Sequence, residues 1–352
     1  MNIIAYVGCR TTKDRGAHGK GIKVYRISND GKWDLLQLVP DLVNPSYLCM
    51  DNDQAYLYCV QGDGCEISSW KIKADGKLAY LNTVSTYGTN PVHLSIDRSN
   101  RWVFVGNLQT GNVSVIPRNK DGLLENIRET KFISGNGGPG YISHPHQVLQ
   151  DNTRNWLLVP TQGRLQGVGK IVVYRIDSDH GTLIETFSAI ARSGAEPRHC
   201  VFHPNNRFCY AINEKDCTIT FYRFDERKGI LAPQQILPTL PDTYVEGGWA
   251  SGVVMEPSGR FIYVSNRKAN SISVFAINQN TGLMHYVQTV SANGNQPRFI
   301  TIDYTGKRLL VANELSDTMY EFDIDKNNGT LVPNGTVIAT ENPVCVIYRT
   351  IG

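Results

Sequence analysis

Apolar and polar residues alternate with a period of two along most of this chain, in short runs separated by turn residues. Three consecutive runs after Pro297, "KRLLVANE", "TMYEFDID" and "TLVPNGTVIA", show the pattern and are rich in β-branched or aromatic residues. Such runs predict β-strands. Asp-Gly or Asn-Gly steps such as Asp30-Gly31, Asp75-Gly76, Asp121-Gly122 and Asn328-Gly329 lie between strands, where hairpin turns need residues that tolerate positive φ. No long run with helical periodicity occurs.

The strands fall into a repeat. The pattern Pro-x-x-apolar-x-apolar-Asp runs from Pro45 to Asp51 and returns at Pro91–Asp97, Pro145–Asp151, Pro197–His203 and Pro297–Asp303. Weaker copies start at Ala250 and Pro343. The copies are spaced by 46, 54, 52, 53, 47 and 46 residues, and three more strands follow each copy before the last. Four antiparallel strands per unit of this length is the blade of a β-propeller. Seven copies predict an all-β, seven-bladed β-propeller. The last copy, "NPVCVIYRT", supplies only one strand, whereas the chain opens with three, "IIAYVG", "GIKVYRIS" and "WDLLQLVP". The C-terminal strand is therefore expected to complete the N-terminal blade and close the ring, which leaves no orphan edge. No linker or low-complexity segment interrupts the repeat, so residues 1–352 read as one domain.

This topology says which residues meet. With the strands of a blade lettered A to D outward from the axis, the start of A and the end of B share one face of the ring. The segment "GAEPRHCVFHPNNRFCYAINEKD" is one such A–B pair. It places Arg198 and His199 beside Asn213 and Glu214, with the turn at His203 on the far face. The same bookkeeping brings His93, His146, Gln147, Ser251, Arg298 and Phe299 to the mouth from A-starts. Gln61, Asn107, Gln162, Asn266, Arg267, Asn313 and Glu314 join them from B-ends. Three arginines, several histidines and two carboxylates make a cationic funnel. It suits an anionic small molecule.

Each candidate has a plainer reading. The asparagines at B-ends, Asn213 and Asn266 among them, recur at one blade position and suit a strand-ending scaffold role. Arg198 facing Glu214 recurs as Arg298 facing Glu314, as a structural ion pair would. Glu214 is the stronger candidate for proton transfer, with Arg198 and His199 as its expected partners. His144 and His146 have no compact third ligand, so a metal is not expected. His144 reads as loop surface and His93 as a structural histidine. Gly135, Gly137 and Gly140 have the spacing G-x-G-x-x-G, but a proline and a strand follow rather than a helix. They read as a flexible loop over the funnel. No P-loop, nucleophile elbow or Ser-His-Asp arrangement is present.

Composition adds exclusions. A net charge of +3 with no basic block argues against a nucleic-acid partner. No apolar run is long enough to span a membrane as a helix, and the N-terminal residues lack a secretory pattern. Eight cysteines without a C-x-x-C pair, several within strand patterns, fit buried reduced thiols and a cytoplasmic protein.

The segments "EPRHCVFHPNNRFCYAINE", "FIYVSNRKANSISVF" and "QPRFITIDYTGKRLLVAN" resemble the propeller lactonase family across the whole chain. That family includes bacterial 6-phosphogluconolactonases and fungal 3-carboxy-cis,cis-muconate lactonizing enzymes. The resemblance implies four functional positions, His146, Arg198, Glu214 and Arg267, all present here; the Ala250 copy departs from the pattern by lacking its proline. It implies a lactone hydrolase acting on an anionic sugar lactone, 6-phosphogluconolactone first, or a cycloisomerase built from the same groups. Glu214 is then expected as base, His146 as proton donor, and Arg198 and Arg267 as anion holders. His199, Arg298, Asn213, Asn266 and Glu314 would contact substrate. No cofactor is implied. A non-catalytic binding propeller is the competing class.

Overall fold

The computed structural model describes residues 2–351 and contains seven antiparallel sheets. Blade 4 is representative, with strands Pro197–Phe202, Phe208–Asn213, Thr218–Asp225 and Ile230–Pro238 in that order outward. The seventh sheet runs Pro343–Ile351, Asn2–Cys9, Ile22–Ile27, Trp33–Val39, so the last strand closes the ring as expected. Among the described residues the one helical element is a single 3-10 turn, Lys13–Arg15, and no helix is long and apolar enough to cross a membrane.

The A–B pairs show why the repeat has its form. Its closing aspartate folds back on the hairpin turn: Asp97 accepts hydrogen bonds from the backbone of Ser99, Arg101 and Trp102 at 2.9–3.0 Å. Asp51, Asp151 and Asp303 do the same in their blades. His203 substitutes for aspartate in blade 4, where its Nδ1 lies 3.1 Å from the Asn205 N–H. These turns are on the far face, as the strand arithmetic requires.

The core is divided into seven clusters, each lying between neighbouring blades. Phe208, Tyr210, Ile212 and Phe221 of blade 4 pack against Ala250, Ile262, Val264 and Phe275 of blade 5, all essentially buried. Burying each large apolar side chain contributes about 1.5–3 kcal/mol. Buried tyrosines on B strands also stitch blade to blade. Tyr6, Tyr58, Tyr210 and Tyr263 donate to the carbonyls of Gly76, Gly122, Gly282 and Gly329 in neighbouring C–D turns at 2.7–3.1 Å. Gly282 has φ 82°, and a Cβ there would come within 2.3 Å of the Phe221 ring. Only glycine fits so tight a turn pressed on an aromatic.

Tyr210→Phe removes one stitch and leaves the buried Gly282 carbonyl unpaired. We expect a loss of about 1–3 kcal/mol in urea unfolding, with activity per folded molecule unchanged. An unaltered midpoint would show that the stitch is incidental.

Candidate active site

A β-bulge builds the mouth. In blades 1, 2, 4, 5 and 6 the first A residue pairs with the last B residue, as in Pro197 with Asn213, and the register then slips. In a regular strand consecutive side chains point to opposite faces. The slip re-aims them, so Arg198 and His199 line the same cavity, as do Arg298 with Phe299 and Ser46 with Tyr47. In blade 3 the inner strand is interrupted between His144–Pro145 and Leu149–Gln150, and His146 sits in the gap, its N–H on the Pro160 carbonyl at 2.9 Å.

Glu214 is the centre of charge. Arg198 Nε lies 3.0 Å from its Oε2, and Arg267 Nη2, from the next blade, lies 2.9 Å from Oε1. Gln162 of the preceding blade donates to Oε2 at 3.0 Å. Both arginine contacts are close, yet the N–H bonds do not aim squarely at the carboxylate. Arg198 Nε and Arg267 Nε and Nη2 are therefore buried donors without an aligned acceptor. The indole of Trp249 covers Arg267, its ring centroid 5.2 Å from the guanidinium. A second centre repeats the theme. Glu314 pairs with Arg10 at 2.9 Å and with Arg298 at 3.5 Å, and accepts from Gln296 at 3.0 Å.

Two cavities flank the Arg198–Glu214 pair. The inner one, about 20 Å³, is lined by Arg10, Tyr47, His146, Arg198, His199 and Arg298 among others. The outer one, about 320 Å³, is lined by Gln162, Arg164, Leu165, Glu196, Glu214, Lys215 and Trp249. Aromatic rings form much of the wall of the inner cavity. The His199 ring lies 5.2 Å from His146, 5.8 Å from His93 and 6.5 Å from Tyr47, which in turn lies 6.2 Å from Phe299.

The sequence family described as "Lactonase, 7-bladed beta-propeller" matches residues 4–348. This chain belongs to that family. It is 29% identical over 350 residues to the 6-phosphogluconolactonase of Bacillus subtilis, covering 97% of this chain and 98% of the relative. A 6-phosphogluconolactonase of Pectobacterium atrosepticum is also 29% identical, over 92% of this chain and 94% of its own. Among solved structures, the periplasmic gluconolactonase of Pseudomonas aeruginosa superposes with a TM-score of 0.90 at 25% identity, each chain covered completely.

Within this lactonase the four principal expected residues, His146, Arg198, Glu214 and Arg267, converge around the two cavities, with His199 and Arg298. Other placements differ from expectation. Asn213 and Asn266 commit their amides to the scaffold, Asn213 within blade 4 and Asn266 to Thr239, which follows the outer strand of blade 4. Asn213 Nδ2 donates to Thr218 and Thr220, and Asn266 exchanges hydrogen bonds with Thr239. Both side chains are buried there, so their geometry is that of scaffold rather than of substrate contacts. Glu314 is occupied by Arg10 and Arg298. His199 lies beside Arg198 Nη1 at 3.4 Å and His146 rather than pairing with Glu214. His144 is buried, not on a loop surface, its Nδ1 2.8 Å from the Leu108 carbonyl. Among the described residues no group of three or more His, Cys, Asp or Glu side chains is gathered as a metal ion would need. All eight cysteines are unpaired, but Cys65 is exposed and Cys49 only partly covered.

Two contributions go beyond the roles expected from the sequence. Arg10 directly follows the B strand Asn2–Cys9 of the closing blade, so the B-end rule applied to the first strand finds it. Gln162 lies at the mouth as expected, but its role as a hydrogen-bond partner of Glu214 is new. The glycine-rich segment is a braced flap rather than a free loop: Gly135 N–H bonds the Tyr141 carbonyl at 2.7 Å, and Val168 N–H bonds Asn136 Oδ1 at 2.6 Å.

Burial alone would raise the Glu214 pKa, but Arg267 and then Arg198 outweigh it and hold the carboxyl down at about 2. Burial and then Arg198 push His146 and His199 well below the ordinary imidazole range, and the same two causes take His93 to about 3. These histidines are neutral at pH 7. The unfolded chain binds protons below about pH 6.5 that the folded chain refuses. Stability is then full above about pH 6.5 and falls as pH drops, each histidine adding up to about 1.4 kcal/mol per pH unit. Glu214 adds a second loss between its unfolded value, about 4.5, and about 2. We expect the urea midpoint to decline from about pH 6.5 downward, and His93→Phe to flatten that decline. A midpoint flat to about pH 5 would refute the neutral histidines.

Proposed function

We propose that this protein is a lactone hydrolase that opens the ring of a phosphorylated sugar lactone, as a 6-phosphogluconolactonase does. The observation that carries the reading is the juxtaposition of a neutral His146 with buried guanidinium donors that lack aligned acceptors. The names of the relatives support the substrate class. Eight unpaired thiols fit a reducing compartment, and we place the enzyme in the cytoplasm on that ground.

The expected roles of Glu214 and His146 exchange in this reading. Glu214 is held at about 2 with its oxygens engaged by Arg198, Arg267 and Gln162, whereas the His146 imidazole is unprotonated at neutral pH and lines the inner cavity, so its ring can take a proton as negative charge develops beside it. A neutral imidazole is also a poor donor until it has taken one up. The inner cavity has room for one water, which needs about 10–15 Å³. His146 takes a proton from water as its oxygen bonds to the lactone carbonyl carbon. The carbonyl oxygen becomes an oxyanion against Arg198 and Arg267, whose donors suit a developing charge. The intermediate collapses by breaking the bond between that carbon and the ring oxygen. The ring oxygen leaves as an alkoxide and takes the proton back from His146. Glu214 acts as a positioning residue, holding the two guanidiniums in register, and the sugar occupies the outer cavity. The ring oxygen's path is that of ester hydrolysis and uses no redox change.

Proton release from fresh 6-phosphogluconolactone tests the reading, with ultraviolet loss of 3-carboxymuconate measured beside it. We expect hydrolysis of the first. Turnover of the second alone would make the protein a cycloisomerase, and turnover of neither would end the enzymatic reading. His146→Gln should lower kcat by about 10²–10⁴. The kcat/KM of the native enzyme should be flat across neutral pH. Glu214→Gln should keep that flat limb while KM rises; loss of the plateau would return the base to Glu214.

A further inference from the structure

The outer cavity holds a cation that the hydrolytic roles leave unused. Arg198, Arg267, Arg10 and Arg298 each face a carboxylate. Arg164 does not. Among the described residues no acidic oxygen lies within ion-pair distance of its guanidinium. Its Nε donates to Gln162 Oε1 at 2.7 Å, and its two terminal nitrogens have no partner among them. Gln162 in turn donates to Glu214. Arg164 is thus oriented by the same amide that orients the catalytic ion pair, with its fork unoccupied at the cavity wall.

The loop that carries it is built to hold this position. Arg164 and Leu165 both have left-handed backbones, φ 45° and 71°, without being glycine. Such conformations persist where surroundings enforce them. Here Glu196 accepts the N–H of Gly163 at 2.6 Å and of Arg164 at 3.1 Å, and so is engaged by backbone rather than by the guanidinium. The flap at 135–142 braces the other side through Asn136 to Val168 and Gln166 to Ile142. Lys215, also without an ion pair among the described residues, and the exposed Trp249 and Leu165 complete the wall.

We propose that Arg164, with Lys215, is the seat of the substrate's phosphate monoester and sets the preference for phosphorylated over neutral sugar lactones. This rests on the lactonase reading above. A guanidinium fork matches phosphate oxygens in a bidentate way, and a lysine beside it adds a point charge. A neutral hydroxymethyl group at the same place would leave both cations, which are exposed, to water alone. The site therefore discriminates by a missing charge rather than by shape.

The test measures selectivity by two routes. Binding of the products 6-phosphogluconate and gluconate is measured by calorimetry on the native protein, Arg164→Met, Arg164→Lys and Lys215→Met. Hydrolysis of 6-phosphogluconolactone and of gluconolactone is measured on the same proteins. The native protein should bind 6-phosphogluconate the more tightly. Arg164→Met should reduce that preference, and the kcat/KM ratio of the two lactones, by roughly 10- to 100-fold, mainly through KM. Arg164→Lys should recover part of it, and Lys215→Met should lose less. Equal losses on both ligands, no loss on the phosphorylated one, or no native preference would each overturn the proposal. If the native protein hydrolyses neither lactone yet binds 6-phosphogluconate through Arg164, the hydrolase reading falls and the phosphate seat stands. If the phosphorylated lactone is hydrolysed with a selectivity that Arg164→Met does not move, the phosphate seat falls and the hydrolase reading stands.

Discussion

The mouth of this propeller is governed by the need to compensate charge removed from water. Arg10, Arg198, Arg267 and Arg298 face Glu214 and Glu314, four cations against two anions, with Asp63 shared between Arg10 and Arg15. Taking such groups out of water costs several kcal/mol each, and mutual attraction returns it only with good geometry. Here the geometry is incomplete, because donors on Arg198 and Arg267 lack aligned acceptors. A cluster with surplus buried cation is satisfied by an incoming anion. Burial first, and then Arg198 of this cluster, keeps His146, His199 and His93 neutral.

An arrangement of this kind is tolerable because the scaffold is stabilised elsewhere. Seven interblade cores, the tyrosine stitches and the aspartate turn clamps supply stability that does not depend on the charged groups. Closure by Pro343–Ile351 gives the N-terminal blade its innermost strand, so the two ends of the chain are held in one sheet. The strand-ending asparagines belong to this scaffold as well, which is why they recur at one blade position while the residues beside them differ from blade to blade.

Most of the fold was legible because each blade repeats one solution to one problem. The motif beginning at Pro45 encodes a bulge at its proline and a turn clamp at its aspartate, and both leave a residue signature. Ring closure followed from counting strands at the termini. The site was legible as far as the A-start and B-end rule reached. It gathered Arg198, Glu214 and Arg267, although the pairing of Glu214 with Arg267 crosses between blades and emerges only in three dimensions. Arg10 is reached only when the B-end rule is carried past the last residue of the first strand, Cys9, and so falls outside the expected mouth residues. Arg164 was illegible for a different reason: two consecutive left-handed residues other than glycine carry no sequence signal, and Glu196, which enforces them, lies 32 residues away. The roles of Glu214 and His146 depend on field and burial, which residue type alone does not report.

The division into two cavities gives the remote phosphate an energetic purpose. The pair Arg198–Glu214 is the partition between them, since Arg198 lines the inner space and Glu214 the outer. On the proposed mechanism a sugar ring, too large for the inner cavity, meets the water on His146 with its carbonyl only if Arg198 turns part of its fork from Glu214 to the carbonyl oxygen. Separating a buried pair is unfavourable unless a new anion or oxyanion replaces the old partner. Interactions with a part of the substrate that does not react can offset such a distortion at the part that does. Gln162 links the two places, with one end on Arg164 and the other on Glu214. On the phosphate seat proposed above, a phosphate drawn to Arg164 would act through Gln162 on the Arg198–Glu214 pair, and a neutral lactone would lack that hold.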